Sequence, residues 1–358
     1  MRSVDFGSAS VGDASPCFIV FEAGPTHDGV ETAMRLVDEA ATAGAQAIKF
    51  QIFNADDLVA DKNQLFSYSI LKNKETGELE EVSEPLYDIL SRRQLTQDQW
   101  VKVKARADSY GLAFFATIGF ESDLELLREL RCDSVKIASA DVNHFPLLRL
   151  AARSGMSVQL DTGNADIDEI SEAVNVLEAE GCTDIIIHQC PSGYPARLQS
   201  ICLRMISTLR AAFPNYPIAY SDHTPEADMD IAAVALGANL IEKTITLDRC
   251  TRSVEHVFSL EPCDMKSFIS RVRDVETALG VESRVLTHEQ QESRRLLRRS
   301  PYLIQEAKAG TPISDLCVRF ARPGTGITPP AWEQLVTSGA VLSIDLHADE
   351  LLLDRHFS

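Results

Sequence analysis

Short apolar runs alternate with longer amphipathic segments along most of the chain. A run of three to six apolar residues between turn signals is typical of a buried strand. The predicted strands are Phe18–Phe21, Ala47–Phe50, Leu112–Ala116, Ser134–Ile137, Ser157–Leu160, Asp184–Ile187, Ile218–Tyr220 and Leu240–Ile245. The helix-length segments between them are Glu31–Ala43, Gln97–Tyr110, Asp123–Leu130, Phe145–Arg153, Ile167–Glu180, Leu198–Phe213 and Glu226–Leu236. Eight strands that alternate with helices predict a (β/α)8 TIM barrel, an α/β fold, over residues 17–280.

A doubly wound parallel sheet is the alternative architecture for this pattern. Such a sheet usually carries a glycine-rich phosphate-binding turn after its first strand. The chain has Glu22-Ala-Gly24 at that point, which is not such a turn. The barrel is therefore the favoured prediction.

The remaining segments differ in character from the repeating pattern. Residues 1–16, rich in Ser, Gly and Asp, are expected to be a flexible tail, and the polar insertion Asn54–Arg93 is a candidate lid. The charged residues 281–299 are expected to form a linker. Residues 300–358 contain short β-type runs, one of them Val341–Ser343, and almost no helical pattern, so they predict a small β-rich second domain.

Composition narrows the range of partners and compartments. The formal net charge of -19 argues against a nucleic acid or an anionic membrane surface as a partner. The eight cysteines are scattered singly in a large chain, which indicates reduced thiols and a cytoplasmic protein. No apolar stretch approaches the length of a membrane span. An anionic substrate must therefore be bound by a few specifically placed basic residues.

Polar side chains that could take part in catalysis or ligand binding fall at or just after the ends of the predicted strands. Glu22, Lys49, Lys136 and His223 all occupy such positions. In a barrel enzyme the active site lies at the carboxyl ends of the strands. Each residue also has an ordinary interpretation as a solvated strand end or a packed side chain. Two lysines at strand ends in so acidic a protein favour an anion site.

Several motifs, taken together and in order, resemble the N-acylneuraminate (sialic acid) synthase family. Glu22-Ala-Gly with Thr26-His27-Asp28-Gly29 resembles the family's E-A-G-x-N-H-N-G, and Ser221-Asp222-His223-Thr224 is its S-D-H-T unchanged. The other matching segments are Ala47–Gln51, Val135–Ser139, Cys190–Pro195, Phe258–Pro262 and Arg322–Gly326. The resemblance covers nearly all of residues 17–358. It implies a barrel followed by an antifreeze-like (SAF, β-clip) domain.

The resemblance also implies an activity and roles for individual residues. Family members condense phosphoenolpyruvate with an open-chain amino sugar to give a 3-deoxy-2-keto sugar acid. A divalent Mn or Mg ion polarises the sugar aldehyde, and a domain-swapped homodimer completes each site. The implied catalytic residues are Glu22, Lys49, Lys136, Glu242 and Glu255; the substrate-binding residues are Thr117, Ser139, Asp161, Ser192, Tyr194, Ser221 and Arg322; the metal ligands are His223, Glu255 and His256.

Four positions depart from the family pattern. Thr244 stands where the family has its second metal histidine, so the metal site is expected to be weakened or re-liganded. Glu255 replaces an Asp, Ser192 replaces an Asn, and Asp161 replaces a serine that contacts the phosphate. A carboxylate beside a phosphate is strongly unfavourable unless a cation intervenes.

These departures leave three interpretations open. The first is a variant phosphoenolpyruvate-dependent synthase, in which Asp161 is neutralised by Lys136 or by a metal. The second is an enzyme of the same ancestry that uses a donor without phosphate in an aldol-type reaction, in which Asp161 replaces the charge of the phosphate against Lys136. The third is a non-catalytic sugar-binding subunit, which would have little reason to keep Glu22, Lys49 and Lys136 together.

Overall fold

The computed structural model describes residues 3–7, 9–281 and 283–358, and it divides into two compact units, Met1–Gly280 and Val281–Ser358. The strands are β1 Val4–Phe6, β2 Ala9–Val11, β3 Phe18–Glu22, β4 Ala47–Gln51, β5 Leu65–Asn73, β6 Glu78–Pro85, β7 Ala113–Ile118, β8 Ser134–Ile137, β9 Ser157–Asp161, β10 Ile185–Gln189, β11 Ile218–Asp222, β12 Leu240–Thr244, β13 Ser300–Leu303 and β14 Val318–Ala321. The helices of the first unit are α1 Val30–Ala43, α2 Ala55–Leu58, α3 Leu86–Ser91, α4 Gln97–Ser109, α5 Glu121–Glu129, α6 Phe145–Ala152, α7 Ile167–Ala179, α8 Leu198–Ile201, α9 Met205–Ala212, α10 Asp228–Ala235 and α11 Pro262–Leu279; those of the second are α12 His288–Leu297 and α13 Pro329–Ser338.

A closed barrel of eight parallel strands forms the centre of the first unit. Its strand order is β3, β4, β7, β8, β9, β10, β11 and β12, and β12 pairs with β3 to close the cylinder. The prediction of a (β/α)8 barrel from eight apolar runs is therefore confirmed. The runs are continuous because both faces of each strand are buried: one face packs against the helices and the other fills the barrel.

The amino-terminal segment closes one end of the barrel, so the prediction of a flexible tail is wrong for its described part. Strands β1 and β2 form an antiparallel hairpin. Val4, Phe6 and Val11 are buried with residues of the barrel floor, among them Phe18 and Phe115. Three apolar side chains at strand spacing outweigh the polar composition of the segment. Residues 1, 2 and 8 lie outside the described part.

The predicted lid is an ordered insertion between β4 and α4 and includes the antiparallel hairpin of β5 and β6. Tyr68 and Ile70 of the hairpin pack with Val254, and Leu71 packs with Val257 and Phe258. The insertion therefore packs against the loop that follows β12, the last barrel strand.

The second unit contains more helix than its sequence pattern predicts. Helix α12 lies within residues 281–299, which were expected to be a linker, and Thr287 caps it with a capping box. Helix α13 contradicts the expectation of almost no helix after residue 300. The predicted strand at 341–343 is present only as isolated bridges. The unit has its own small apolar core, formed by Leu303, Ile327, Leu342, Leu346 and Leu352.

None of the helices in the described residues is both long enough and apolar enough to span a lipid bilayer.

Candidate active site

A cavity of about 330 Å³ lies at the carboxyl ends of the barrel strands. Glu22 and Asp161 are the last residues of β3 and β9, and Thr244 is the last of β12. All three line the cavity. Its size and position are those of a small-molecule site in a TIM barrel.

Most of the predicted site residues meet in this cavity. Its wall includes the predicted residues Glu22, Lys49, Thr117, Ser139, Asp161, Tyr194, His223, Glu242 and Glu255. The loops after β10 and β11 bring Tyr194 and His223 together, with their ring centroids 4.6 Å apart. The structure therefore brings together residues far apart in the chain, some of them predicted from strand ends and others implied by the family resemblance.

Carboxylates and lysines alternate along the inner wall. The Lys49 ammonium group contacts Glu22 closely and donates to Glu242 Oε1 at 3.0 Å. The other oxygen of Glu242 accepts a hydrogen bond from Lys136 at 2.6 Å. Lys136 Nζ also lies 3.0 Å from Asp161 Oδ1. Glu242 thus joins both lysines into one chain of charges, Glu22, Lys49, Glu242, Lys136 and Asp161.

Burial and the neighbouring charges together set the pKa values of the residues in this chain of charges. Burial alone would raise the pKa of Glu242, but Lys136 and Lys49 outweigh it and hold that pKa well below its usual range. Burial alone would lower the pKa of Lys49, and Glu22 and Glu242 reverse the effect and raise it. Burial raises the pKa of Glu22 despite the nearby Lys49 ammonium. Glu242 is therefore held as an anion, and burial favours the protonated form of Glu22.

A hydrogen-bonded network supports the chain of charges from inside the barrel. His188 is fully buried; its Nε2 lies 3.0 Å from Gln159 Oε1 and its Nδ1 lies 2.9 Å from Ser221 Oγ. Gln159 donates in turn to Ser134 at 3.0 Å. Burial and Lys136 lower the pKa of His188 well below its usual value. His188 therefore acts as a neutral spacer that fixes Ser221, which accepts from Lys136 at 2.9 Å.

His188, Gln159 and Arg93 were not predicted from the sequence to belong to the site or its surroundings. His188 and Gln159 are polar residues inside apolar strand runs, and this contrast was the available signal. Arg93 ends the insertion and is buried, with a hydrogen bond to the Ile89 carbonyl at 3.4 Å. Nothing in the local sequence of Arg93 marks it as a neighbour of the site.

Glu255 enters the cavity on a constrained backbone. Its φ of 75° lies in the left-handed region, which is uncommon for a residue other than glycine. Burial and the nearby Glu22 raise the pKa of Glu255 to about 8, and Arg93 and Lys49 only partly oppose this. The carboxyl is therefore largely protonated at neutral pH and is a hydrogen-bond donor.

Five predicted site residues are not part of the described cavity wall. They are Lys136, Ser192, Ser221, His256 and Arg322. Lys136 and Ser221 are buried behind the wall, in the contacts given above. The Ser192 hydroxyl lies 2.9 Å from the Gly163 carbonyl oxygen and 2.8 Å from Asn164 Oδ1. Arg322 is exposed in the second unit, directly after β14.

The comparisons with known proteins agree with this geometry. The family model described as the NeuB family matches residues 36–284. The chain is 32% identical over 350 residues to the N,N'-diacetyllegionaminic acid synthase of Legionella pneumophila, covering 96% of each chain. It is 31% identical over 283 residues to the human N-acetylneuraminate-9-phosphate synthase, covering 77% of this chain and 75% of that one.

A solved structure also matches the chain. The crystal structure of the N-acetylneuraminic acid synthetase from Leptospira borgpetersenii serovar Hardjo-bovis, in complex with citrate, matches with a TM-score of 0.71 and 29% identity. The match covers 82% of this chain and 95% of that one. The chain belongs to the NeuB family. The resemblance drawn from the motifs is thereby confirmed.

The side chains of this NeuB-family member do not fit a metal centre. In the part of the chain that the structure describes, no group of three His, Cys, Asp or Glu residues is arranged to hold an ion. His223 lines the cavity, and its Nδ1 lies 3.0 Å from the Pro191 carbonyl oxygen. Thr244 lines the cavity where the resemblance places the second histidine. His256 Nδ1 is 2.7 Å from Thr246 Oγ1, outside the cavity wall.

Proposed function

We propose that this NeuB-family chain is a sugar-acid synthase. It joins the terminal carbon of a three-carbon donor, a 2-oxo acid or its enol phosphate, to the aldehyde carbon of an open-chain sugar. The product is a 3-deoxy-2-keto sugar acid. Phosphoenolpyruvate is the donor that the family resemblance implies. In that reaction water adds at the oxygen-bearing carbon and phosphate leaves by carbon–oxygen cleavage.

One observation supports this proposal above the others: the alternating series of charges formed by Glu22, Lys49, Glu242, Lys136 and Asp161, in the cavity wall and directly behind it. Preorganised charges in a partly enclosed site stabilise charge that develops during a reaction. A sugar-binding protein without activity would have no need for buried ion pairs, which are costly to assemble.

We propose a part in the condensation for several of these side chains. Carbon–carbon bond formation turns the aldehyde oxygen into an alkoxide, which must gain a proton. Glu22, with its raised pKa, lies on the wall and is the proton donor that we propose. Lys49 provides positive charge beside it, and Thr117 and Ser139 line the same cavity. Glu242 holds Lys49 and Lys136 in place.

The proposal is tested by condensation assays on site variants. Wild-type protein is incubated with phosphoenolpyruvate or pyruvate and a panel of open-chain aldoses and amino sugars, and the keto acid is measured by mass spectrometry. Glu242→Gln should reduce the turnover rate by about a hundredfold or more, as expected for loss of a preorganised charge. Glu226→Gln, outside the cavity wall, is the control. Unchanged turnover in Glu242→Gln would contradict the proposed site.

A further inference from the structure

The cavity has an unusual charge inventory for a site that binds a phosphorylated donor. Its described wall contains five carboxyl groups, those of Glu22, Asp141, Asp161, Glu242 and Glu255, and its only lysine or arginine is Lys49. Lys49 is already in contact with Glu22 and Glu242. A phosphate would therefore have to compete with these carboxyl groups for Lys49.

The second lysine of the site is also occupied by the protein's own carboxylates. Lys136 is completely buried, and its ammonium group lies 2.6 Å from Glu242 and 3.0 Å from Asp161. Ser221, which could otherwise donate to a ligand, lies 3.0 Å from Asp161 Oδ1. Asp161 therefore uses the cation and the hydroxyl group that an anionic ligand would need.

A hydrogen-bonded network behind Asp161 holds these contacts in place. His188 is placed 2.9 Å from Ser221 and 3.4 Å from Lys136, and Gln159 fixes the other ring nitrogen of His188. Ser221 and Lys136 are thereby held toward Asp161. A phosphate entering here would have to displace a carboxylate from a buried ion pair, which is strongly unfavourable.

We infer that the donor is a 2-oxo acid without phosphate, of the pyruvate class, and that Asp161 excludes phosphorylated donors by occupying Lys136 and Ser221. This inference rests on the proposed function and names its donor. The donor loses a proton from its methyl carbon to a carboxylate of the cavity. The resulting enolate carbon bonds to the aldehyde carbon, and the aldehyde oxygen gains a proton. No group is released, so the atoms of both substrates are retained in the product.

Calorimetric titration tests the inference without requiring turnover. Wild type, Asp161→Ser and the matched control Asp141→Ser, which also removes a carboxylate from the wall, are each titrated with phosphoenolpyruvate, inorganic phosphate and pyruvate. We expect no phosphoenolpyruvate binding to wild type at micromolar concentrations. Asp161→Ser should gain affinity for phosphoenolpyruvate and phosphate by about tenfold or more, equivalent to about 1.4 kcal/mol. Asp141→Ser should not. Thermal unfolding confirms that the variants are folded.

Two outcomes would overturn the inference. One is micromolar binding of phosphoenolpyruvate to wild type; the other is an equal gain in both variants, which would show a general charge effect. The condensation assay distinguishes failure of this inference from failure of the proposed function. Keto acid made by wild type from phosphoenolpyruvate refutes the inference and leaves the synthase proposal standing. If wild type makes no keto acid from either donor, the synthase proposal fails, and the titrations still decide whether Asp161 excludes phosphate.

Discussion

At the scale of single residues, Lys136 is the charge on which the inner wall depends. It is completely buried and contacts Glu242, Asp161 and Ser221. Removing one partner from a buried ion pair leaves the other charges uncompensated in a medium of low polarity. The stability of the barrel and the geometry of the site are therefore linked through this side chain.

Lys136→Met should lower the free energy of unfolding by about 3–5 kcal/mol, the usual cost of breaking a buried pair. Urea denaturation provides the measurement. Lys62→Met is the control, because Lys62 pairs with Asp56 at the surface and both side chains are more than half exposed. Such a pair contributes about 1 kcal/mol or less. A similar loss in both variants would contradict the role given to Lys136.

Through Glu255, the stability of the folded protein should depend on pH, and the sign of this dependence follows from the raised pKa of Glu255. Its pKa is about 8 in the folded protein and near the ordinary 4.5 in the unfolded chain. Between these two values the unfolded chain has released the proton and the folded protein retains it, so this group makes folding less favourable as pH rises. Glu255→Gln removes the effect. The variant should gain stability relative to wild type from about pH 5 to about pH 8.

Urea midpoints across that range measure the difference, with Glu125→Gln, on an exposed position of α5, as the control. A difference between Glu255→Gln and wild type that does not change with pH would show that the pKa of Glu255 is not raised by its surroundings.

Thr244 is the position at which a metal site could be restored. Asp222 and Lys243 are register partners on β11 and β12, so His223 and Thr244 follow at neighbouring positions, and both line the cavity. Thr244→His should tighten Mn²⁺ binding by more than about tenfold. Outer-shell partners already contribute about that much at the lower end of their range, and a direct ligand should contribute more. Titration of Mn²⁺ by electron paramagnetic resonance measures this. Adding His223→Ala should return the affinity to the wild-type value; unchanged affinity in Thr244→His would contradict the account.

The site could be predicted from sequence where residues sit at strand ends, and not where contacts cross the barrel. Glu22 and Lys49 were found because they end apolar runs and match family motifs. The contact of Asp161 with Lys136 was one of two neutralising arrangements expected for Asp161, and the structure shows it. The spacer His188 depends on which strand faces come together, and this is set by register across several strands.

At the scale of elements, long apolar runs were recognisable and short strands were not. The barrel strands are continuous in apolar character because both faces are buried. Strands β1 and β2 have three residues each and a polar setting, so no periodic signal distinguishes them from a tail. Helix α12 has a charged sequence without a buried side chain, and its capping box was its only sequence signal.

Phe6→Ala tests the role of the amino-terminal hairpin. The ring is almost completely buried, with centroids 5.0 Å from Phe18 and 5.1 Å from Phe115. Its removal leaves a cavity at the barrel floor and should cost about 3–5 kcal/mol of unfolding free energy. Asp5→Ala, on the exposed face of the same strand, should change stability by about 0.5 kcal/mol or less. Equal effects would contradict the packing of β1 against the barrel.

At the scale of the whole molecule, exposed apolar side chains cluster along one stretch of sequence. Within the second unit, Val281, Val285, Leu296 and Leu297 are each more than half exposed. Such a concentration is typical of a surface that another protein covers. We predict a homodimer, in agreement with the assembly that the resemblance implies. Light scattering at about 10 µM should give twice the chain mass of 39.4 kDa. A mass of one chain would refute it.

The central claim is that this cavity forms a carbon–carbon bond between a three-carbon donor and a sugar aldehyde. Carbon-13 nuclear magnetic resonance with donors labelled at their terminal carbon tests it most directly. Labelled pyruvate and labelled phosphoenolpyruvate are supplied separately with a panel of sugar aldehydes. The account predicts that the label from pyruvate appears in a new methylene group coupled to a sugar carbon, and that Glu242→Gln slows its appearance by about a hundredfold or more. A wild-type protein that leaves the label of both donors unchanged would contradict the account.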